Sequence, residues 1–259
     1  MTKRIACVFA HPDDDRYGVG GSLALHAGSD IEITVIMTTS GEAGRIADAA
    51  LATHETLAAV REVEGRASWA ALGLEPTIHF LRYPDSGVAN VPRDQLVTVY
   101  TELLLEARPD VVVTFGPDGV TAHEDHIAVG AAGTEAFHAA RAQSDAGFHR
   151  LLHNVLSAGR LEAFNEVLRS RGMEPMDPTQ PFMPRGVPDH MIGVSVDCSA
   201  ANDRKLEALR EHRTQAEMED LPFDLWPLVL GREDFVVAWP EQQGDPPVLR
   251  DLFEGLPGA

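Results

Sequence analysis

Residues 5–15 have the sequence Ile-Ala-Cys-Val-Phe-Ala-His-Pro-Asp-Asp-Asp. The first part, Ile5–Phe9, is a short apolar run with β-branched residues, which predicts a buried strand. The second part changes abruptly to an imidazole and three consecutive carboxylates. In open parallel sheets, ligands bind just beyond the carboxyl ends of the strands. This stretch therefore predicts a functional site at the end of the first strand.

The alternation of strand and helix patterns continues through the first half of the chain. Further strand-like runs are Ile31–Met37, Thr77–Leu81 and Val111–Phe115. Helical spacing is found in the segments Gly18–Ala27, His54–Leu74, Asp94–Ala107 and Glu124–Ala140. This alternation predicts an α/β fold, a Rossmann-like three-layer sandwich in which helices cover both faces of a mostly parallel sheet.

The second half of the chain breaks this rhythm. Residues of about 160–188 contain five prolines with little periodicity, so we expect a long loop or lid within a single domain of residues 1–259. After it, the patterns predict a strand at Met191–Val196 and a helix at Ala201–Met218. A last edge strand is predicted at Phe235–Trp239, with Pro240 ending it.

Composition restricts the function further. A net charge of −19 argues against nucleic acid, whose phosphates require a basic patch, and weakly against anionic membrane surfaces. The apolar runs are too short to span a bilayer, and no signal-peptide cleavage site is evident, so we expect a cytoplasmic location. Cys7 and Cys198 lie in strand-like runs outside any CxxC pair, which favours two buried free thiols.

The loop after the first strand has the chemistry of a metal site. Adjacent acids repel one another, so some of Asp13, Asp14 and Asp15 must be paired or bound to a metal. Zinc accepts His nitrogen and Asp oxygen, and catalytic zinc usually has three protein ligands plus water. His11 and Asp14 are therefore candidate ligands, and a neighbouring carboxylate is a candidate acceptor of the water's proton. The alternative is that these acids only cap a helix.

A second cluster, Ala122-His123-Glu124-Asp125-His126, follows the fourth strand. Two histidines three residues apart at the start of a helix point to the same side. One of them would complete a His-Asp-His metal site, and the other would donate a hydrogen bond to a developing oxyanion. Surface or capping histidines are the alternative for this motif alone, but its pairing with the first loop favours a joint site.

The two motifs together resemble the LmbE-like, or PIG-L, family of zinc-dependent N-deacetylases. Ala10–Asp14 is similar to the family's AHPDD signature, and His123-Glu124-Asp125-His126 is similar to its later H-P-D-H motif. The resemblance implies one Zn²⁺ per chain, with another divalent metal as the alternative. The ligands it implies are His11, Asp14 and His126. It implies Asp13 as general base, and His123 as the residue that stabilises the tetrahedral intermediate or protonates the amine.

Supporting motifs extend the resemblance to about residue 215. The R-x-x-E helix at Arg61–Glu64 and the D-S-G loop at Asp85–Gly87 are similar to family motifs, which implies that Arg61 and Asp85 face the substrate. The alternatives are a surface ion pair and a simple turn. The late K…HxSQ motif is represented by Lys205 and His212–Gln215, for which a structural role is favoured.

Three positions depart from the family pattern. Asp15 stands where the family usually has Glu, and a shorter acid can still orient a ligand. Arg16-Tyr17 are bulkier than the usual small apolar pair, so we expect them to reshape the pocket. Thr121 stands where some sugar-deacetylating members have a tyrosine.

The resemblance implies a small-molecule substrate, an N-acetyl amino-sugar conjugate, and a homo-oligomer is compatible with the sequence. Two alternatives stay open: an amidase for another amide, such as a thiol conjugate or antibiotic precursor, and a non-catalytic sugar-binding protein. A nucleotide-binding domain is disfavoured, because G-x-G-x-x-G does not follow the first strand and three acids would repel phosphate.

Overall fold

A computed structural model describes residues 2–215, 221–242, 244 and 246–257. The strands are β1 (Lys3–Phe9), β2 (Ile31–Met37), β3 (Thr77–Phe80), β4 (Val111–Phe115), β5 (Arg150–Ser157), β6 (Gly186–Val187), β7 (Val194–Asp197) and β8 (Arg232–Trp239). The α-helices are α1 (Asp14–Gly18), α2 (Gly20–Ala24), α3 (Leu57–Ala71), α4 (Arg93–Ala107), α5 (Gly119–Ala122), α6 (Glu124–Gln143), α7 (Ala158–Ser170), α8 (Asn202–Arg210) and α9 (Trp226–Leu230).

The strands form one mixed sheet in the order β3-β2-β1-β4-β5-β8-β7, and β6 pairs with β5. The pairs from β3 through β5 are parallel, whereas β8 is antiparallel to both β5 and β7. Every residue of β4 is buried, as is typical of a parallel strand covered on both faces. The predicted mostly parallel sheet is confirmed.

The helices lie on both faces because the chain reverses its direction across the sheet. From β1 it proceeds to β2 and β3, and it then returns to add β4 and β5 on the other side of β1. Right-handed crossovers place α3 on one face, and α4 and α6 on the other. The packing agrees, since α3 contacts α8 and α4 contacts α6. The predicted three-layer sandwich is confirmed, and the crevice between β1 and β4 is its topological switch point.

Helix α6 packs very closely on β4, which fixes the position of its first turn. A Cβ atom built on Gly130 would lie 2.6 Å from the carbonyl oxygen of Phe115, so only glycine fits this approach. The first turn of α6 carries His126. This contact therefore holds His126 at the carboxyl end of β4.

The segment 160–188 was expected to be a loop, and this expectation is wrong for its first part. Helix α7 continues to Ser170, so the irregular part comprises residues 171–185. The five prolines lie at 175 and beyond, which leaves the amphipathic spacing before them free to form a helix. The preceding strand β5 escaped prediction, because its polar residues, among them Arg150 and Asn154, interrupt the apolar pattern.

Two further expectations for the second half need correction. Residues 235–239 belong to β8, which is an internal strand and not an edge strand, because β7 pairs on its outer side. The helix expected at Ala201–Met218 ends at Arg210 as α8, and its predicted residues 216–218 lie outside the described residues. Cys7 and Cys198 are buried free thiols, as predicted. Within the described part of the chain, each helix is too short or too polar to span a bilayer.

Candidate metal centre

The side chains of His11, Asp14 and His126 converge at the switch point between β1 and β4. His11 Nδ1 lies 3.1 Å from His126 Nε2. Asp14 Oδ2 lies 3.3 Å from His11 Nδ1, and Asp14 Oδ1 lies 3.2 Å from His126 Nε2. Tetrahedral bonds of about 2.0–2.2 Å would place ligand atoms roughly 3.3–3.6 Å apart. The three residues therefore fit a single metal ion with little movement.

Hydrogen-bond partners leave one lone pair on each imidazole available for a metal. His126 Nδ1 lies 3.0 Å from the carbonyl oxygen of Gly119, to which it donates, so Nε2 carries the lone pair. His11 Nε2 lies 3.1 Å from Asp85 Oδ1 and 3.5 Å from Asp125 Oδ2. A proton on Nε2 facing these carboxylates leaves His11 Nδ1 as the ligand atom.

The surrounding charges favour a cation at this point. Burial by itself would lower the pKa of His11, but the carboxylate of Asp14 and hydrogen bonds to Asp125 and Asp85 hold this pKa well above its ordinary value. Burial by itself would raise the pKa of Asp14, but His126 and His11 hold it well below its ordinary value. A positive charge between these residues is therefore stabilised, whether it is a proton or a metal ion.

His123 lies beside the cluster but has a different environment. One ring nitrogen from each of His11, His123 and His126 lies within 4.8 Å of the others, so this trio is an alternative ligand set. However, His123 is the N-cap of α6, and its Nδ1 accepts a hydrogen bond of 3.1 Å from Asp125 N. Burial, then the neighbouring His11 and His126, lower its pKa. We therefore favour Asp14 as the third ligand and His123 as a neutral donor through Nε2.

Asp13 is bound by Arg61, which the family resemblance had implied would face the substrate. Arg61 Nη2 donates a hydrogen bond of 2.7 Å to Asp13 Oδ2, and Arg61 Nη1 donates to the Gly41 carbonyl at 2.9 Å. Arg61 is only 3% exposed, so its guanidinium orients Asp13 and does not face an open pocket. The alternative surface pair with Glu64 is absent from the described residues, where Glu64 accepts hydrogen bonds from Thr214.

Two acids behind His11 complete the wall of the site. Asp85 Oδ2 accepts a hydrogen bond of 2.8 Å from Ala43 N, while Oδ1 faces His11. Asp125 accepts hydrogen bonds from Ser86 N and Val88 N, which ties the loop after β3 to the start of α6. The sequence reasoning assigned no role to Asp125. Asp125 lies between the two histidines of the later motif, and this position in the sequence could have identified it as a site residue.

The departures from the family pattern have separate explanations. Burial raises the pKa of Asp15 to about 6, and its Oδ2 pairs with Arg16 Nη1 at 2.9 Å and accepts from Trp69 Nε1 at 3.0 Å. Arg16 is fully buried and also donates to Ser68 Oγ, so it anchors α3 and does not reshape the pocket. Tyr17 does line the cavity beside the metal ligands, as expected.

A structural role was favoured for His212, and the structure buries its side chain. It is 2% exposed, and neither ring nitrogen has a hydrogen-bond partner within the described residues. Burial lowers its pKa to about 3, with Asp13 opposing this shift and Arg16 and Arg61 adding to it. The folded protein therefore holds His212 neutral at pH values where an unfolded chain protonates it.

We expect this histidine to destabilise the protein as the pH falls from about 6.5 towards 3. In this pH range His212 is protonated in the unfolded state but neutral in the folded state, so the free energy of unfolding decreases as the pH falls. At pH 5 the loss is about 2 kcal/mol relative to pH 8. Denaturant unfolding of His212→Gln should show a pH dependence flatter by that amount. The control His190→Gln, at an exposed histidine, should have the same pH dependence of the free energy of unfolding as the original protein. The same pH dependence for His212→Gln would contradict the lowered pKa of His212.

The fold and the cluster together define a class: an α/β sandwich with a His-Asp-His cluster suited to a metal ion beside a buried, arginine-bound carboxylate. The chain belongs to the PIG-L family, whose model, described as GlcNAc-PI de-N-acetylase, matches residues 6–137. The matched region contains all three candidate ligands and Asp13. The resemblance inferred from the two motifs is confirmed.

A curated relative agrees with this assignment, and solved structures share the fold. A 1D-myo-inositol 2-acetamido-2-deoxy-alpha-D-glucopyranoside deacetylase from Actinosynnema mirum is 32% identical, with 98% of each chain covered. The N,N'-diacetylchitobiose deacetylase of Pyrococcus horikoshii has a TM-score of 0.60 at 24% identity, covering 91% of this chain and 83% of its own. The 4-carboxy-2-hydroxymuconate hydratase of Pseudomonas putida has a TM-score of 0.63 at 18% identity, covering 95% and 100%. The two structures show the fold alone.

Proposed function

We propose that this chain removes the acetyl group from the amide nitrogen of an N-acetyl amino-sugar conjugate. His11, Asp14 and His126 would hold one zinc ion. The observation that carries the proposal is the close approach of these three side chains: His11 Nδ1 lies 3.1 Å from His126 Nε2, and the two carboxylate oxygens of Asp14 lie 3.3 and 3.2 Å from these nitrogens. Asp13, which precedes Asp14 in the sequence, is bound by Arg61. A bound zinc ion would polarise the amide carbonyl and lower the pKa of a water molecule towards neutrality.

The protein's own residues supply the proton transfers. Asp13 accepts a proton from the attacking water, and the guanidinium of Arg61 keeps its carboxylate oriented. His123, neutral with its proton on Nε2, donates a hydrogen bond to the oxyanion of the tetrahedral intermediate. The carbon–nitrogen bond then breaks as Asp13 returns the proton to the amine nitrogen. The products are acetate and the free amine.

The opening beside His123 suits a polar substrate. A cavity of about 410 Å³ has several polar side chains in its wall, among them Ser86, His123, Gln180 and Arg185, and we call it the polar opening. Hydroxyl-rich groups such as sugars require hydrogen-bond donors and acceptors of this kind. The curated relatives are named for an N-acetylglucosaminyl inositol, which supports an N-acetylglucosamine conjugate as the substrate class. We place Asp85 at the back of this site, where it supports His11.

The test is release of acetate and free amine from a panel of N-acetyl amino sugars, using protein with and without a chelator. We expect hydrolysis to fall at least 100-fold on chelation and to return when Zn²⁺ is added. Separate addition of Mn²⁺, Co²⁺ and Mg²⁺ would test the identity of the metal. Sugar binding without hydrolysis, at full metal content, would instead establish a non-catalytic binding protein. Hydrolysis restricted to non-sugar amides would establish the amidase alternative.

A further inference from the structure

A second cavity adjoins the metal ligands, and its walls differ from those of the polar opening. It measures about 340 Å³ and is lined by Asp14 and His126 at one end. Its apolar walls include Tyr17, Phe115, Val155, Leu156, Met176, Trp226 and Val229. We call this space the apolar cavity. Its volume is within the range of small-molecule sites, about 300–1,000 Å³, and exceeds what the methyl group of an acetyl needs.

Ionisable residues in the wall of the apolar cavity are neutralised by partners. Arg160 Nη1 contacts Asp234 Oδ2 at 2.9 Å, and Asp234 Oδ1 accepts a hydrogen bond from Ser195. Glu233 pairs with Lys205 Nζ at 2.5 Å and accepts from two backbone N–H groups. Two polar atoms of wall residues, Asn154 Oδ1 and Trp226 Nε1, have no hydrogen-bond partner among the described residues. With its charges paired, this surface favours an apolar occupant over a sugar.

The two cavities share one wall residue, and only the apolar cavity is lined by candidate metal ligands. Thr121 lines both of them, His123 lines only the polar opening, and Asp14 and His126 line only the apolar cavity. An amide has an amine side and an acyl side, and both extend from the carbonyl carbon that reacts. The sugar of an N-acyl amino sugar is attached on the amine side of the amide, and the polar opening suits a sugar, so the amine side belongs in the polar opening. The acyl side then extends into the apolar cavity.

We propose that the apolar cavity binds the acyl group, and that the preferred substrates carry N-acyl chains longer than acetyl. This inference rests on the proposed function, because it assumes that the amide carbonyl reacts at His11, Asp14 and His126. Each methylene moved from water into the cavity should raise kcat/KM by about three- to fourfold until the space is filled. The reaction is still amide hydrolysis, with a fatty acid released in place of acetate.

The experiment compares N-acetyl-, N-butyryl- and N-hexanoyl-glucosamine as substrates of the zinc-loaded protein. We expect kcat/KM to rise from acetyl to hexanoyl by at least tenfold. Val229→Trp, which fills the cavity, should reduce the ratio of hexanoyl to acetyl kcat/KM by at least tenfold. Leu228→Trp is the matched control, because Leu228 is the preceding residue of α9 and is 52% exposed. Its ratio should equal that of the original protein.

Binding of the released acids gives a measure independent of turnover. By calorimetry, hexanoate should bind at least tenfold more tightly than acetate, and Val229→Trp should remove this preference. Hydrolysis of the acetyl substrate with no gain for longer chains would overturn the cavity assignment and leave the proposed function intact. Failure to hydrolyse any amide in the series would overturn the proposed function itself. Equal ratios for Val229→Trp and Leu228→Trp would also overturn the cavity assignment.

Discussion

Asp13→Asn should lower kcat for amide hydrolysis by about 10³-fold while the protein retains its metal. The asparagine keeps the shape of the side chain and an oxygen for Arg61, but it cannot take a proton from water. General-base groups contribute about 10²–10⁴-fold to catalysis, and Asp13 is a buried carboxylate next to Asp14 in the sequence. The measurement is kcat on the best N-acyl amino sugar, alongside metal content per chain.

The control for this variant is Asp94→Asn, which neutralises an exposed aspartate in the first turn of α4. It should hydrolyse substrate at the original rate, which shows that loss of one negative charge is not the cause. If Asp13→Asn also retains the original kcat, Asp13 is not the base. If it loses its metal, Asp13 is required for the metal site, and the assignment of its role must change.

The placement of the site could be predicted from the sequence because it follows from topology. His11 and His126 are 115 residues apart, yet each follows a parallel strand of the same sheet, and parallel strands end at one edge. The order of the strands in the sheet did not have to be known, because the carboxyl ends of all its parallel strands lie at the same edge. The resemblance to the family added the roles of individual residues, which spacing alone left open.

The environment of each polar residue could not be predicted in the same way. The apolar spacing of the helix that carries Arg61 predicts which face of the helix is buried. It does not predict that the buried guanidinium binds Asp13. Asp15 and Arg16 are another example, since their pairing and the contact of Arg16 with the Trp69 ring depend on tertiary packing. Strand β5 escaped prediction because it is internal yet carries polar residues whose partners are distant in sequence, as Arg150 is from Leu252.

His126→Ala should abolish metal binding, with affinity reduced by more than the roughly 10–100-fold that loss of an outer-shell partner costs. The reason is geometric: Nε2 of this residue lies within 3.2 Å of both other ligand atoms, so its removal leaves the ion with two of its three protein ligands. The measurement is zinc content after dialysis against a buffered chelator, with His54→Ala as the control at an exposed histidine.

His123→Ala distinguishes the ligand set with Asp14 from the set of three histidines. If Asp14 is the third ligand, His123→Ala keeps about one zinc ion per chain and loses kcat, because only the oxyanion donor has been removed. Asp14→Ala should then lose zinc as His126→Ala does. The opposite pattern, with zinc lost from His123→Ala and kept by Asp14→Ala, would assign the metal to the three histidines. Asp14 would then be a partner of the imidazoles, and the proton donor to the oxyanion would have to come from another residue of the polar opening.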